Sequence, residues 1–391
     1  MTTTSVEIKK TIAGHADELK ALAMKIHRNP ELGFEEKKAC AWQVQMLKRW
    51  GFKVQTPFAG LSTAYKAVFG RGKPVFCLMA EYDALPEIGH ACGHNLICTA
   101  AMGAGAALRA MLKRDKIAGT LVVMGAPAEE SKGGKIKMLA NGALKGIDAV
   151  MMAHPSWRTT PDTGCTAIQR IDVTFEGVSA HAAASPEKAR NALDAIMLLF
   201  HGVSAWRQQL PETSRVHGIV VEGGVAPNII PDLASCRFFL RSPDEDVFTD
   251  MAERFRDIAR GAALMTGTKA KISPGLEPYR GRRPNKPFNE AFIESAEAAG
   301  LNPVIPEQSG RGSSDFGDVS CVVPGSHVYF GIAGREIPAH SVAFRKAAGS
   351  AYGLKQMLRT AEAMAQVGYR YFSDDAFRKS VHDDFRKHTK R

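Results

Sequence analysis

Cysteine is sparse in this sequence. Seven residues, Cys40, Cys77, Cys92, Cys98, Cys165, Cys236 and Cys321, are scattered through 391 positions. An odd, dilute set excludes a disulfide-stapled scaffold and fits reduced thiols. Long apolar runs are also missing: the uncharged stretch Leu96–Leu108 is rich in Gly and Ala and well short of the ~20 apolar residues of a membrane span. From Met1 to Lys10, Thr and Ser lead directly into charged residues, without the apolar core of a signal peptide. These absences lead us to expect a cytoplasmic protein with no membrane partner. No basic stretch is interleaved with stacking aromatics, so nucleic acid is not an expected partner despite a net charge of +11. Internal repeats and low-complexity segments are absent as well.

What is present is ordinary globular composition, 45% apolar and 23% charged, which excludes disordered and coiled-coil classes. At one domain per ~150 residues the length suggests two or three domains. Residues Ala13–Trp50 read as amphipathic helix broken at Asn29–Pro30, because proline removes a helix donor and disfavours helix in the residue before it. The short apolar runs Val75–Met79, Leu121–Met124 and Ala149–Ala153 read as strands buried on both faces, with helices at Leu96–Lys113 and Lys135–Asn141 between them. This alternation predicts an α/β layer with a mainly parallel sheet, whose ligands bind beyond the carboxyl ends of the strands.

From Gln169 the order becomes strand (Gln169–Phe175), helix (about Glu187–Leu210), strand (Arg215–Glu222), strand (Leu233–Arg241), helix (Glu245–Thr266) and strand (Lys269–Ser273). β-α-β-β-α-β is the ferredoxin-like arrangement, a complete small domain. The expected fold is therefore α/β, with a discontinuous first domain (1–168 and 284–391) and an inserted α+β domain (169–283). The Gly-, Pro- and Arg-rich segment Gly275–Pro287 returns the chain to the first domain. There the pattern resumes with a helix, the apolar pair Val304–Ile305, the Ser313–Gly317 loop, a strand at His327–Ile332 and a long helix from Ala347. The tail Arg370–Arg391, with seven Lys/Arg and four Asp, reads as a solvated helix face.

The residues after each strand carry the chemistry. Val75–Met79 leads to Glu81-Tyr82-Asp83 and His90-Ala91-Cys92-Gly93-His94-Asn95, Leu121–Met124 to Glu129-Glu130, and Ala149–Ala153 to His154; His340 follows the later strand. A hydrolytic dinuclear metal site needs imidazole, carboxylate or thiolate ligands from several strand ends, plus a carboxylate that deprotonates water. Cys92 and His94 flank a glycine in one loop, and the adjacent glutamates point different ways, so one can ligate while the other acts as base. Each residue alone has a structural explanation, a small hydrophobe for Cys92 or a satisfied histidine for His154. Their joint occurrence at one sheet edge favours a metal site.

These strings, with Ala80–Pro86, Pro127–Glu130, Met152–Pro155, Gly177–Ala183, Ala226–Pro231 and Ser313–Gly317, resemble the aminoacylase and glutamate-carboxypeptidase family of metallopeptidases, family M20. The closest subgroup includes β-alanyl-lysine-type dipeptidases and aminobenzoyl-glutamate, hippurate and auxin-conjugate amidohydrolases, and the match covers nearly the whole chain. The resemblance implies that Cys92, His94, Glu130, His154 and His340 hold two divalent ions (Zn or Mn, with Co possible) and that Glu129 is the general base. It implies that 1–168 with 284–391 is the metal-binding catalytic domain, that 169–283 is a lid and dimerisation domain, and that His181 stabilises an oxyanion in the partner subunit of a homodimer formed through that lid. Asn228 and Arg241 would then bind the amide oxygen and carboxylate of a small-molecule substrate, Arg by paired hydrogen bonds.

Two positions depart from the family pattern. Glu81 stands where many members have a ligating His, which leaves Glu81 and Asp83 in supporting roles, Asp83 orienting a ligand histidine. Asn95 replaces a frequent Asp, which argues against ligation by residue 95. Arg280, Arg282 and Arg283 are further carboxylate clamps or a solvated hinge. The expected activity is metal-dependent hydrolysis of the amide in a dipeptide or N-acyl amino acid with a free carboxylate. Hydrolysis of an aromatic amine or aryl amide is the nearest alternative, and a non-catalytic binding protein of the same fold is the alternative from another class.

Overall fold

The computed structural model describes residues 3–275, 277–306 and 312–389. Leu276 of the expected return segment, residues 307–311 of the second catalytic stretch and the tail residues Lys390 and Arg391 lie outside the described residues. The chain forms two compact units, one of 3–164, 283–306 and 318–389, the other of 165–282 with 312–317. The Ser313–Asp315 stretch, expected in the catalytic domain, thus belongs to the second unit; the amide of Thr166 donates to Gly312 O (3.0 Å) and the Ser313 hydroxyl to Thr166 O (2.9 Å).

The first unit starts with α1 (Thr3–His27), α2 (Lys37–Arg49), β1 (Lys53–Gln55), β2 (Tyr65–Arg71), β3 (Val75–Ala80), α3 (His94–Arg114), β4 (Gly119–Gly125), α4 (Glu129–Lys132), α5 (Gly134–Ala140) and β5 (Ala149–Ser156). The inserted unit follows with β6 (Ala167–Glu176), β7 (Ala180–His181), α6 (Ala192–Arg207), β8 (Arg215–Glu222), β9 (Ile229–Ile230), β10 (Leu233–Ser242), α7 (Glu245–Thr266) and β11 (Lys269–Ser273). The chain ends with α8 (Lys286–Ala298), α9 (Phe316–Val322), β12 (Gly325–Gly331), α10 (Val342–Ala348), α11 (Ala351–Ser373) and α12 (Asp375–Thr389).

The sheet of the first unit has the order β1-β2-β4-β3-β5-β12. β4, β3, β5 and β12 run parallel, while β1 and β2 add an antiparallel edge. The parallel strands are the continuously apolar ones, buried on both faces. β2 escapes a search for apolar runs because it mixes Lys66 and Arg71 with its apolar residues and is only partly buried. His154 falls inside β5 and not after it, since pairing with β12 continues to Ser156 opposite Gly331. The apolar pair Val304–Ile305 is exposed and follows a lone bridge between Thr159 and Pro303.

α3 passes the length and composition test for a membrane-crossing helix, yet 89% of its apolar window is buried inside the fold. It is a core helix, packed against α1, α11 and the sheet strands β3, β4 and β5. The tail is helical as expected, and α12 carries surface ion pairs such as Lys379–Asp383 and Arg386–Asp383, each 2.5 Å.

The inserted unit is a four-stranded antiparallel sheet of order β11-β6-β10-β8 with α6 and α7 packed on it. β6 and β10 alternate between buried and more accessible residues, so Ile171, Val173, Phe175, Cys236, Phe238 and Leu240 face the helices. α6 begins at Ala192, later than the expected Glu187. Asn191 caps it by accepting the amides of Leu193 (3.0 Å) and Asp194 (3.4 Å), and a separate 3-10 turn occupies Pro186–Lys188. β7 and β9 form a small ribbon of their own. All seven cysteines are free.

Candidate metal centre

The carboxyl edge of the parallel sheet brings together the residues expected there. β3 ends at Ala80, immediately before Glu81 and Asp83, and α4 opens with Glu129 and Glu130. Between Cys92 and His94, Gly93 adopts φ +78°, and a Cβ there would sit 2.8 Å from the Pro155 ring. Glycine is therefore required for the turn that lets the thiol and imidazole converge. His340, itself at φ +58°, is tied to the same loop by its amide, which donates to Ala91 O at 3.1 Å.

Three groups of ligand atoms converge: Cys92, His94 and His154; Cys92, Glu130 and His340; and His94, Glu129 and Glu130, each within 4.8 Å. Cys92 Sγ lies 3.3 Å from His154 Nε2. Glu130 Oε1 lies 3.5 Å from His340 Nε2 and 3.9 Å from His94 Nε2, too far for good hydrogen bonds and close enough for ligands sharing a small cation. His94 Nε2 and Glu130 Oε1 are buried with no hydrogen-bond partner. Orphaned lone pairs in a thiol, imidazole and carboxylate cluster are the expected consequence of divalent-ion sites, and the residues present fit such ions.

The supporting bonds set the imidazole tautomers. Asp83, buried between His94 and α4, accepts His94 Nδ1–H at 2.9 Å and the Glu130 amide at 2.9 Å, so that an ion at His94 would take Nε2. Burial opposes the charge on Asp83, but His94 and the Glu130 amide outweigh it and hold the carboxyl below its ordinary range. His154 Nδ1 bonds Pro155 O at 2.7 Å, which frees Nε2, and burial followed by repulsion from His94 pulls its pKa down to about 4, the neutral form a metal needs. Burial pushes the Cys92 thiol up, so a thiolate there calls for a cation. The His327 ring stacks on His154 with centroids 5.5 Å apart and 24° between planes, a neighbour that no motif announced.

Lys135 is likewise announced by no motif. Its ammonium is buried and lies 2.5 Å from Glu81 Oε1, while Glu81 Oε2 lies 3.7 Å from His94 Nε2. Asn95 is buried away from the ligands, its amide donating to Ala348 O (3.1 Å) and Ala23 O (3.4 Å) and thereby tying α3 to α1 and α10.

The remaining candidates lie in the inserted unit. His181, exposed on β7, accepts the amides of Ala183 and Ala184 at Nδ1, each at 3.2 Å. In the neutral ring this leaves Nε2–H as a donor. Asn228 lies on the same ribbon, its backbone oxygen accepting Ala182 N at 2.9 Å. Arg241, half-buried on β10, donates to Ser313 Oγ at 3.0 Å. Arg280 is engaged with Glu245 at 3.0 Å. Arg282 is buried and bridged to Cys165 through its backbone, so it is not a solvated hinge. The Arg283 amide donates to Ser320 Oγ.

Residues 77–367 match the model of peptidase family M20/M25/M40. The Xaa-Arg dipeptidase of Mus musculus is 35% identical over 95% of this chain and 89% of the relative. A chain of the p-aminobenzoyl-glutamate hydrolase of Escherichia coli is 35% identical over 70% of this chain and 61% of the relative. The Bacillus subtilis YXEP protein, a dinuclear metal-binding peptidase from the M20 family, shares the fold with a TM-score of 0.71 at 23% identity, covering 92% of this chain and 99% of that one.

Proposed function

This chain belongs to peptidase family M20/M25/M40 and is a hydrolase of peptide or amide bonds, and we propose that it cleaves dipeptides or N-acyl amino acids whose released amino acid carries a free carboxylate. The observation that carries the reading is the convergence of Cys92, His94, Glu130, His154 and His340 with Glu129 beside them. Cys92 belongs to two of the ligand groups, so its sulfur would be among the atoms that hold the ions. Divalent ions held there would supply Lewis acidity to the scissile carbonyl and to an attacking water. Mixed thiolate, imidazole and carboxylate ligands suit zinc, with manganese and cobalt as the other candidates.

Glu129 takes a proton from the water as it attacks the carbonyl carbon, then delivers it to the amine as the C–N bond breaks. His181 donates its Nε2–H to the oxyanion of the tetrahedral intermediate, a role typically worth ~3 kcal/mol. Asn228 holds the amide oxygen, and Arg241 grips the substrate carboxylate. The similar proteins named for an Xaa-Arg dipeptide and for p-aminobenzoyl-glutamate share an amide whose amine side is an amino acid, which supports a carboxylate-bearing substrate. Seven free thiols suit a reducing, cytoplasmic compartment.

The active assembly is a homodimer through the inserted unit. Among the described residues β8 pairs only with β10, and its Ile219, Val220 and Val221 are exposed. A free apolar edge invites a second copy of the same strand. His181→Ala mixed with Glu129→Gln should regain partial activity if His181 serves its partner's site; mixtures as dead as their parents would refute action between subunits.

Substrate class is tested by mass-spectrometric hydrolysis with Zn or Mn supplied separately. The panel comprises Xaa-Arg and β-alanyl dipeptides, N-acetyl and N-benzoyl amino acids, aminobenzoyl-glutamate and an amino-substituted aromatic acid. Cleavage confined to amides of amino acids is expected. Turnover of the aromatic amine alone, or silence with metal bound, would overturn the proposal.

A further inference from the structure

Glu36 has a carboxylate that is fully buried in the first unit and is not used to cap its own helix. It occupies the N-cap position of α2 yet makes no capping bond, although capping is the usual use of a polar side chain there. Its Oε1 instead accepts the amide of Ala128 at 2.8 Å, and its Oε2 accepts the hydroxyl of Thr63 at 2.9 Å. Ala128 directly precedes Glu129 and adopts φ +60°, ψ +46°, a left-handed conformation that costs an alanine ~1–2 kcal/mol and persists only when neighbours impose it.

Other parts of the same N-terminal segment press on the loop. A Cβ on Gly33 would sit 2.9 Å from Ala128 Cβ, so glycine is required for this approach. Lys132, at the far end of α4, donates to Gly33 O at 2.8 Å. Asp83 meanwhile holds the Glu130 amide at 2.9 Å. Two buried carboxylates thus grip the amides on either side of Glu129.

We infer that Glu36 is a positioning residue for the hydrolytic reaction, fixing the left-handed turn at Ala128 so that Glu129 presents its carboxylate to the reacting water. This rests on Glu129 being the base. Burial raises the Glu36 carboxyl to about 7, and either protonation state still offers an oxygen to Ala128. Glutamine supplies the same acceptor; alanine and the shorter aspartate do not reach.

The experiment compares Glu36→Ala, Glu36→Asp and Glu36→Gln in the full-length, metal-loaded enzyme. Readouts are kcat, KM, metal per subunit, and deuterium exchange of the peptide spanning residues 127–133. Ala and Asp should lower kcat about 10- to 100-fold, the cost of a misplaced catalytic group, with KM and metal content held and the peptide exchanging faster. Gln should restore both kcat and protection. If Ala fails to fold, Asp carries the same expectation with the charge retained. Unchanged kcat in both, or a loss that Gln does not restore, would overturn the inference. Glu129→Gln runs alongside: if it stays active, the assignment of the base fails, whereas a dead Glu129→Gln with normal Glu36 variants sinks only the positioning role.

Discussion

Glu129→Gln is expected to lower kcat by about 10³- to 10⁴-fold, the upper range for loss of a general base, while metal content and thermal midpoint stay at wild-type values. The asymmetry follows from the two neighbouring glutamates. Glu130 has its amide on Asp83 and its Oε1 facing His94 and His340, so it is committed to the ligand cluster. Glu129 shares a ligand group with His94 and Glu130 but is absent from the two groups built on Cys92. An amide in its place has nearly the same volume and keeps an acceptor, but it cannot take a proton. Glu130→Gln should instead lose metal, so the pair separates base from ligand by metal analysis. Full activity in Glu129→Gln would remove the base from the mechanism.

Much of this site was legible because motif and backbone period coincide. The runs that became β3, β4 and β5 are apolar at every position, so the polar residues following each had to emerge at one edge. The ferredoxin-like unit was readable for the same reason, with β8, α7 and β11 lying at their expected limits. What stayed hidden depends on partners remote in sequence. Lys135 looks like the solvent-facing start of a helix until Glu81 is seen opposite it, and Glu36 looks like one charge in a polar turn until Ala128 is seen against it. Periodicity reports which face of an element is apolar; it carries no information about which buried charges meet.

Lys135→Met is expected to destabilise the first unit by ~3–5 kcal/mol, the usual cost of stranding one member of a buried ion pair. That appears as a thermal midpoint lower by roughly 10 °C. The variant keeps the volume and apolar stem of lysine but leaves the Glu81 carboxylate fully buried without its ammonium. Its other oxygen lies 3.7 Å from His94 Nε2, beyond hydrogen-bond distance, so that imidazole supplies no hydrogen bond in place of the lost one. The loss should be largest in metal-free protein and smaller once a divalent ion is supplied, because a cation at His94 offsets the stranded charge. Adding Glu81→Leu should recover most of the midpoint, since an apolar pair often replaces a buried ion pair without loss. Scanning calorimetry of the single and double variants, with and without metal, reads each outcome. A metal-free Lys135→Met that melts with the wild type would mean that Glu81 does not depend on the ammonium for its place in the fold. In that case the pair would contribute nothing, and the departure at position 81 would reflect packing beside His94 and not charge.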